Sequence, residues 1–67
     1  MKLSAVIHQE GAWYIANNPE TGTTTQGQTF DEALRNLREA TELYLEEFPV
    51  EESAPPILTS FEVPVQA

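Results

Sequence analysis

Between Thr24 and Glu47 the chain passes from a strand-like stretch into a helix through a junction whose chemistry leaves little choice. Thr24-Thr25-Gln26 carries β-branched side chains that suit a pleated surface. Gly27 then lets the backbone turn where a side chain would clash. Thr29-Phe30-Asp31-Glu32 fits a capping box: the Thr29 hydroxyl accepts from the Glu32 amide, and the Glu32 carboxylate reaches back to the amide of Thr29. A helix is therefore expected to start at about Phe30, directly after a strand.

That helix should run to about Glu47, because Pro49 cannot continue it. At 3.6 residues per turn, Phe30, Ala33, Leu34, Leu37, Ala40, Thr41, Tyr44 and Phe48 form one apolar stripe. Leu43 falls outside the stripe and should be exposed in a monomer. Upstream, Lys2 to Gln9 alternates as a strand, with Leu3, Ala5 and Ile7 on one face and Ser4, Val6 and His8 on the other. Gly11 marks a tight reversal. Trp13 to Ala16 is the return strand, closed by the turn formers Asn17-Asn18-Pro19, and Thr23 to Gln28 makes a third strand. After the helix, residues 50–56 form an acidic linker that Pro55-Pro56 stiffens into an extended conformation. Ile57 to Val65 alternates again, with Ile57, Thr59, Phe61, Val63 and Val65 on one face. Pro64 lacks a ladder donor, which suits an edge strand. The order is β-β-β-α-β, an α+β fold in which one helix packs on one face of a small, mostly antiparallel sheet.

The stretch Gly22 to Ala40, with Thr24-Thr25-Gln26-Gly27-Gln28-Thr29 followed by Glu32-Ala33-Leu34-Arg35-Asn36-Leu37-Arg38-Glu39-Ala40, resembles the signature of HicB-like antitoxins. In that family a short strand ending T/S-Q-G-x-T leads into E-A-L-x-N-h-x-E-A and a helix ending near L-Y-L-E. Here Leu43-Tyr44-Leu45-Glu46 continues the match, and Trp13-Tyr14-Ile15-Ala16 before Pro19-Glu20 matches the aromatic strand and its turn. Many members have P-x-L-P-G-C at that turn, whereas this chain has Pro19-Glu20-Thr21-Gly22-Thr23, one residue shorter and without the cysteine. The resemblance covers nearly the whole chain. It implies a single HicB-like domain over residues 1–67 with a partial ribonuclease-H-like fold that has lost the catalytic acids of its fold relatives.

Composition narrows the function. Sixty-seven residues make one small domain, near the lower limit for folding without staples, and a dimer or bound partner would supply buried area that the chain lacks. There is no cysteine, hence no disulfide or thiolate metal site, and a reducing, cytoplasmic setting is expected. No apolar run approaches the roughly 20 residues of a membrane span, and no signal peptide follows Met1. Eleven acids against three bases give a formal charge of −8. Binding nucleic acid through phosphate neutralisation needs the opposite sign. The two arginines have acidic neighbours at helical spacing, Asp31–Arg35, Arg35–Glu39 and Arg38–Glu42. Direct nucleic-acid binding is not expected, and a basic protein partner is.

No residue set points to chemistry. His8, the one histidine, has no adjacent carboxylate or nucleophile to complete a catalytic group and reads as a partly exposed strand residue. Most of the carboxylates lie between Asp31 and Glu52, and Glu39, Glu42 and Glu46 point outward from one helix, unlike the convergent cage of a two-metal site. Gln26-Gly27 has no lysine and is not a phosphate loop. No cofactor or metal is expected, and the chain does not read as an enzyme.

Binding is better served. Trp13 and Tyr14 are strand neighbours and must face opposite sides of the sheet, so one packs under the helix and the other is free to anchor an interface. Glu46, Glu47, Glu51 and Glu52 place negative charge at and beyond a helix C-terminus, where the macrodipole disfavours each nearby anion by about 0.3–1 kcal/mol. With Glu42 and Leu43 they form the expected docking region, although solubility is also served by such charge. The HicB resemblance implies an antitoxin that neutralises a basic HicA-type, mRNA-cleaving toxin by masking its surface. The alternative is a solitary, non-catalytic binding or structural module with no cognate toxin. The DNA-binding segment common at the C-terminus of such antitoxins has no counterpart before Ala67, so operator binding is not expected. Self-association into a homodimer or higher homo-oligomer is.

Overall fold

The structure, a computed structural model, describes residues 1–51 and 54–66 of the chain. Three strands, β1 (Val6–Glu10), β2 (Trp13–Asn18) and β3 (Thr23–Gly27), form an antiparallel sheet in the order β1-β2-β3, and α1 (Phe30–Glu47) follows. This is the expected α+β arrangement of a helix on one face of an antiparallel sheet.

The β1–β2 hairpin pairs Glu10 with Trp13 across the two-residue loop Gly11-Ala12. Gly11 has φ of 59°, the left-handed conformation that such a loop needs at its first position. The register follows: Val6 faces Asn17, Ile7 faces Ala16 and His8 faces Ile15. β2 then pairs with β3, Tyr14 opposite Gly27 and Ala16 opposite Thr25. Strand alternation puts Ile7, Tyr14, Ala16 and Thr25 under the helix and Val6, His8, Trp13 and Ile15 on the open face.

The helix begins as its sequence demands. Thr29 is the N-cap, and its hydroxyl accepts from the Glu32 amide at 3.1 Å. Only this half of the capping box forms among the described residues; the return bond from the Glu32 side chain does not. At the other end the Phe48 amide donates to the Tyr44 carbonyl at 2.8 Å, and the last turn holds no basic residue. The core is small: Ala16, Ala33 and Leu37, with Ala5, Ile7 and Tyr14 packed against it. Gly27 sets the closeness of helix and sheet. A Cβ there would lie 2.5 Å from the Ala33 nitrogen. Its φ is not positive, so the glycine serves backbone approach and not the turn geometry expected from sequence. Two bonds tie the same seam: the Thr25 hydroxyl donates to the Ala33 carbonyl at 3.1 Å, and the Asn36 amide donates to the Gln26 carbonyl at 3.0 Å.

Four expectations need correction. The first strand starts at Val6 and not at Lys2: in the observed register Ala5 falls opposite Asn18, the last residue of β2, so residues 2–4 lie beyond the strand that could pair with them. The second strand takes in Asn17 and Asn18, expected as turn formers; the reversal comes at Pro19–Gly22, where the Gly22 amide donates to the Asn18 carbonyl at 2.8 Å and Gly22 has φ of 80°. Of the three expected helix ion pairs only Arg38–Glu42 forms among the described residues, at 3.4 Å. The last strand is absent: residues 54–66 contain neither strand nor helix, and Ile57, Phe61 and Val65 are 93%, 85% and 89% exposed. The alternation of that segment is real, but no strand among the described residues pairs with it. Without a fourth strand the sheet is too narrow to cover the helical stripe, and Phe30, Leu34, Tyr44 and Phe48 stay exposed.

Candidate functional site

The outward face of α1 gathers most of the charged residues singled out in the sequence. Leu43 is 63% exposed. Its neighbours one turn away are Glu39, Glu46 and Glu47, and Glu42 precedes it; all four are exposed. The result is an apolar knob inside a negative collar at the C-terminal half of the helix. Among the described residues Arg38 is the one cation paired with this collar, through Glu42, and both side chains are largely solvated, so the pair offsets little of the charge. Beside the knob, the rings of Tyr44 and Phe48 stack at 5.0 Å between centroids. A cavity is not needed for protein docking; an exposed apolar anchor with a charged rim is the usual composition of such a surface.

The other candidate residues are dispersed. Tyr14 packs against Ala16 and the helix, so it is a core side chain and not an interface anchor. Trp13 lies on the open sheet face, 41% exposed, across the sheet from the acidic helix surface. Glu51 lies past the helix end, in a shallow depression with Lys2, Leu3 and Glu20. Glu52 is outside the described residues. His8 is exposed on the open face, with Nε2 3.6 Å from a Glu10 carboxylate oxygen. Among the described residues no three His, Cys, Asp or Glu side chains gather as a metal site, and no helix is long and apolar enough to cross a membrane.

Two features escaped the sequence reading. The first is a polar knot where β2 ends. Asn18 is 1% exposed; its amide donates to the Ser4 carbonyl and to Glu20 Oε1, both at 2.7 Å, while its carbonyl accepts from the Thr21 amide at 2.9 Å and from the Thr21 hydroxyl. Glu20 in turn accepts from the Ser4 amide at 2.8 Å and from the Ser4 hydroxyl. These bonds to Ser4, then the bond from Asn18, hold the Glu20 carboxyl below its ordinary pKa despite its exposure. The knot pins residues 2–5 against the sheet end in place of a ladder. Asn18-Pro19-Glu20 was a turn signal, but that it would reach back to Ser4 is a long-range fact no local pattern carries.

The second is an open groove of about 600 Å³ between α1 and the N-terminal stretch, floored by Leu3, Ala5, Leu34 and Leu37. Thr41 lines it, 6% exposed, with a hydroxyl that has no hydrogen-bond partner among the described residues. Leaving such a group unpaired costs about 1–3 kcal/mol.

The family model that matches residues 3–63 is described as a family of unknown function, DUF7387. The chain belongs to this family. The DUF7387 match takes in the three strands, the helix and the following segment through Val63, so residues 57–63 are part of the family's unit. A relative from Helicobacter pylori strain J99, named UPF0150 protein, is 42% identical over 55 residues, which is 81% of this chain and 76% of that protein. No solved structure matches the chain.

Proposed function

We propose that this DUF7387 chain is a HicB-like antitoxin that binds a basic HicA-type ribonuclease and masks its RNA-binding surface. The observation that carries the reading is the exposed Leu43 collared by Glu39, Glu42, Glu46 and Glu47 on a chain of formal charge −8. A nuclease that grips RNA presents a cationic surface, and an acidic helix face competes for it without any chemistry of its own. Charge would steer the encounter, and Leu43 with the Tyr44–Phe48 pair would supply the buried contact that slows release. The HicB resemblance of Gly22 to Ala40 supports the same role, and the cytoplasm, where such a toxin meets messenger RNA, is the fitting location.

The test is neutralisation. A purified HicA-type ribonuclease encoded in the same genome is assayed on messenger RNA with increasing amounts of the chain. Cleavage should fall to background near equimolar addition, and the chain alone should cleave nothing and retain no duplex DNA in moderate salt. Undiminished cleavage at a tenfold molar excess would leave the other reading, a solitary binding module without a cognate toxin.

A further inference from the structure

We infer that two copies of this chain exchange their C-terminal arms: residues 57–65 of each copy add beside the free edge of β1 on the other and, where that edge runs back into residues 3–5, lay Phe61 into the groove between this N-terminal stretch and α1. The arm has a strand pattern without a strand partner among the described residues. Ile57, Thr59, Phe61, Val63 and Val65 alternate to one face and carry no charge, yet Ile57, Phe61 and Val65 are the most exposed large apolar side chains of the described residues. A chain that used the arm itself would bury them; here they stand off the body that carries them. Among the described residues β1 pairs with β2 alone, so its outer edge offers unpaired amides and carbonyls to an incoming strand.

The groove beside that edge is incomplete. Leu34 is 39% exposed above a floor of Leu3, Ala5 and Leu37, and the buried Thr41 hydroxyl lines it without a partner among the described residues. An extended segment brings apolar side chains for the former and hydroxyl or backbone groups for the latter. Dimensions agree. The groove follows α1 from Asp31 to Glu42, about 17 Å at 1.5 Å per residue, which takes about five residues of extended chain. Phe61 is the midpoint of the arm, so the groove holds it with two residues on either side. Charge selects the occupant. Two chains of −8 repel over most of their surfaces, but this groove is rimmed by Asp31 and Glu42 against Arg35 and Arg38, a balanced set that an uncharged strand face can approach. Reciprocal exchange satisfies both copies and closes the assembly as a symmetric dimer. Of the Leu43 collar it touches Glu42 alone and leaves Leu43, Glu39, Glu46 and Glu47 uncovered on the outer helix face, so its failure would not bear on toxin binding.

The chain lacks cysteine, which makes cross-linking selective. Leu34→Cys and Phe61→Cys chains, distinguished by a mass tag, are mixed at equal concentration and oxidised. The mixed disulfide should be the main product, and should exceed by at least tenfold that formed when Glu39→Cys, on the solvent face, replaces the groove variant. The wild type should sediment as a dimer, and Phe61→Glu, whose change lies on an exposed arm, should sediment as a monomer with unchanged helix content. A wild type that sediments as a monomer at high micromolar concentration would overturn the exchange. So would equal cross-linking at residue 39, or a Leu34→Cys/Phe61→Cys double variant that closes its disulfide within one chain.

Discussion

Gly27→Ala is expected to lower the stability of the domain by about 3 kcal/mol, at the upper end for inserting one methyl group into a packed site. The added Cβ would lie 2.5 Å from the Ala33 nitrogen and 3.0 Å from the Ala33 Cα and the Glu32 carbonyl carbon. All three are backbone atoms of the first helical turns, so no rotamer change relieves the contact. The helix must lift away from β3, and lifting it strains the Thr25–Ala33 and Asn36–Gln26 hydrogen bonds that close the seam. In a chain of this size, near the ~5 kcal/mol lower end of domain stabilities, such a loss leaves a large unfolded population. Gly22→Ala provides the contrast: its φ of 80° is unfavourable for alanine, but nothing lies within 4 Å of the new Cβ, and the cost should be about 1–2 kcal/mol. Urea unfolding of the two variants checks the order. A Gly27→Ala midpoint equal to that of the wild type would contradict the account of the seam.

Asn18→Ala should be nearly as damaging, by about 2–3 kcal/mol. The side chain is fully buried and serves four partners, and truncation leaves the Ser4 carbonyl and the Thr21 amide without theirs at the sheet end. Asn17→Ala, whose side chain bonds Thr23 and Thr24 at the surface, should cost under ~1 kcal/mol. The same knot predicts an acid signature. Folding lowers the pKa of Glu20 from its ordinary value of 4.5, so its contribution is present above pH 4.5 and fades as the pH falls through the lower folded value. The stability advantage of wild type over Glu20→Gln should therefore shrink below pH 4.5. Because Glu20 is solvent-exposed, that advantage is modest. A constant difference across the acid range would mean that the carboxylate is not held by Ser4 and Asn18.

What the sequence disclosed and what it withheld divide along a physical line. Thr29 and Pro49 act on atoms within one turn of themselves, so the start and end of the helix were legible without the Glu32 side-chain bond that the capping box adds. Strand alternation put Trp13 and Tyr14 on opposite faces, and helical periodicity put Leu43 outside the apolar stripe; both are properties of a single element. Expectation failed where a distant partner decides. Residues 2–5 carry a strand pattern but meet the Asn18–Glu20 turn and not a ladder. Residues 57–65 carry an equally good pattern and find no strand partner among the described residues. Gly27 was recognised as a place intolerant of a side chain, but the obstacle is the helix that follows it, visible only after the fold brings Ala33 against β3. For the candidate site, composition indicated the acidic surface, while its focus on Leu43 came from the helical arrangement of Glu39, Glu46 and Glu47.

The central claim, that this surface is where a basic partner docks, is tested most directly by stopped-flow association with the HicA-type ribonuclease at two salt concentrations. The wild type is compared with a Glu46→Gln/Glu47→Gln variant. Both glutamates are exposed beside the helix C-terminus, where they oppose the dipole, so the variant should fold at least as well as the wild type. Removing two charges from the collar should slow association at low salt by about three- to tenfold, within the range that electrostatic steering covers, and flatten its salt dependence. Equal association rates for wild type and variant at low salt would contradict the claim and leave the acidic helix as a solubilising surface.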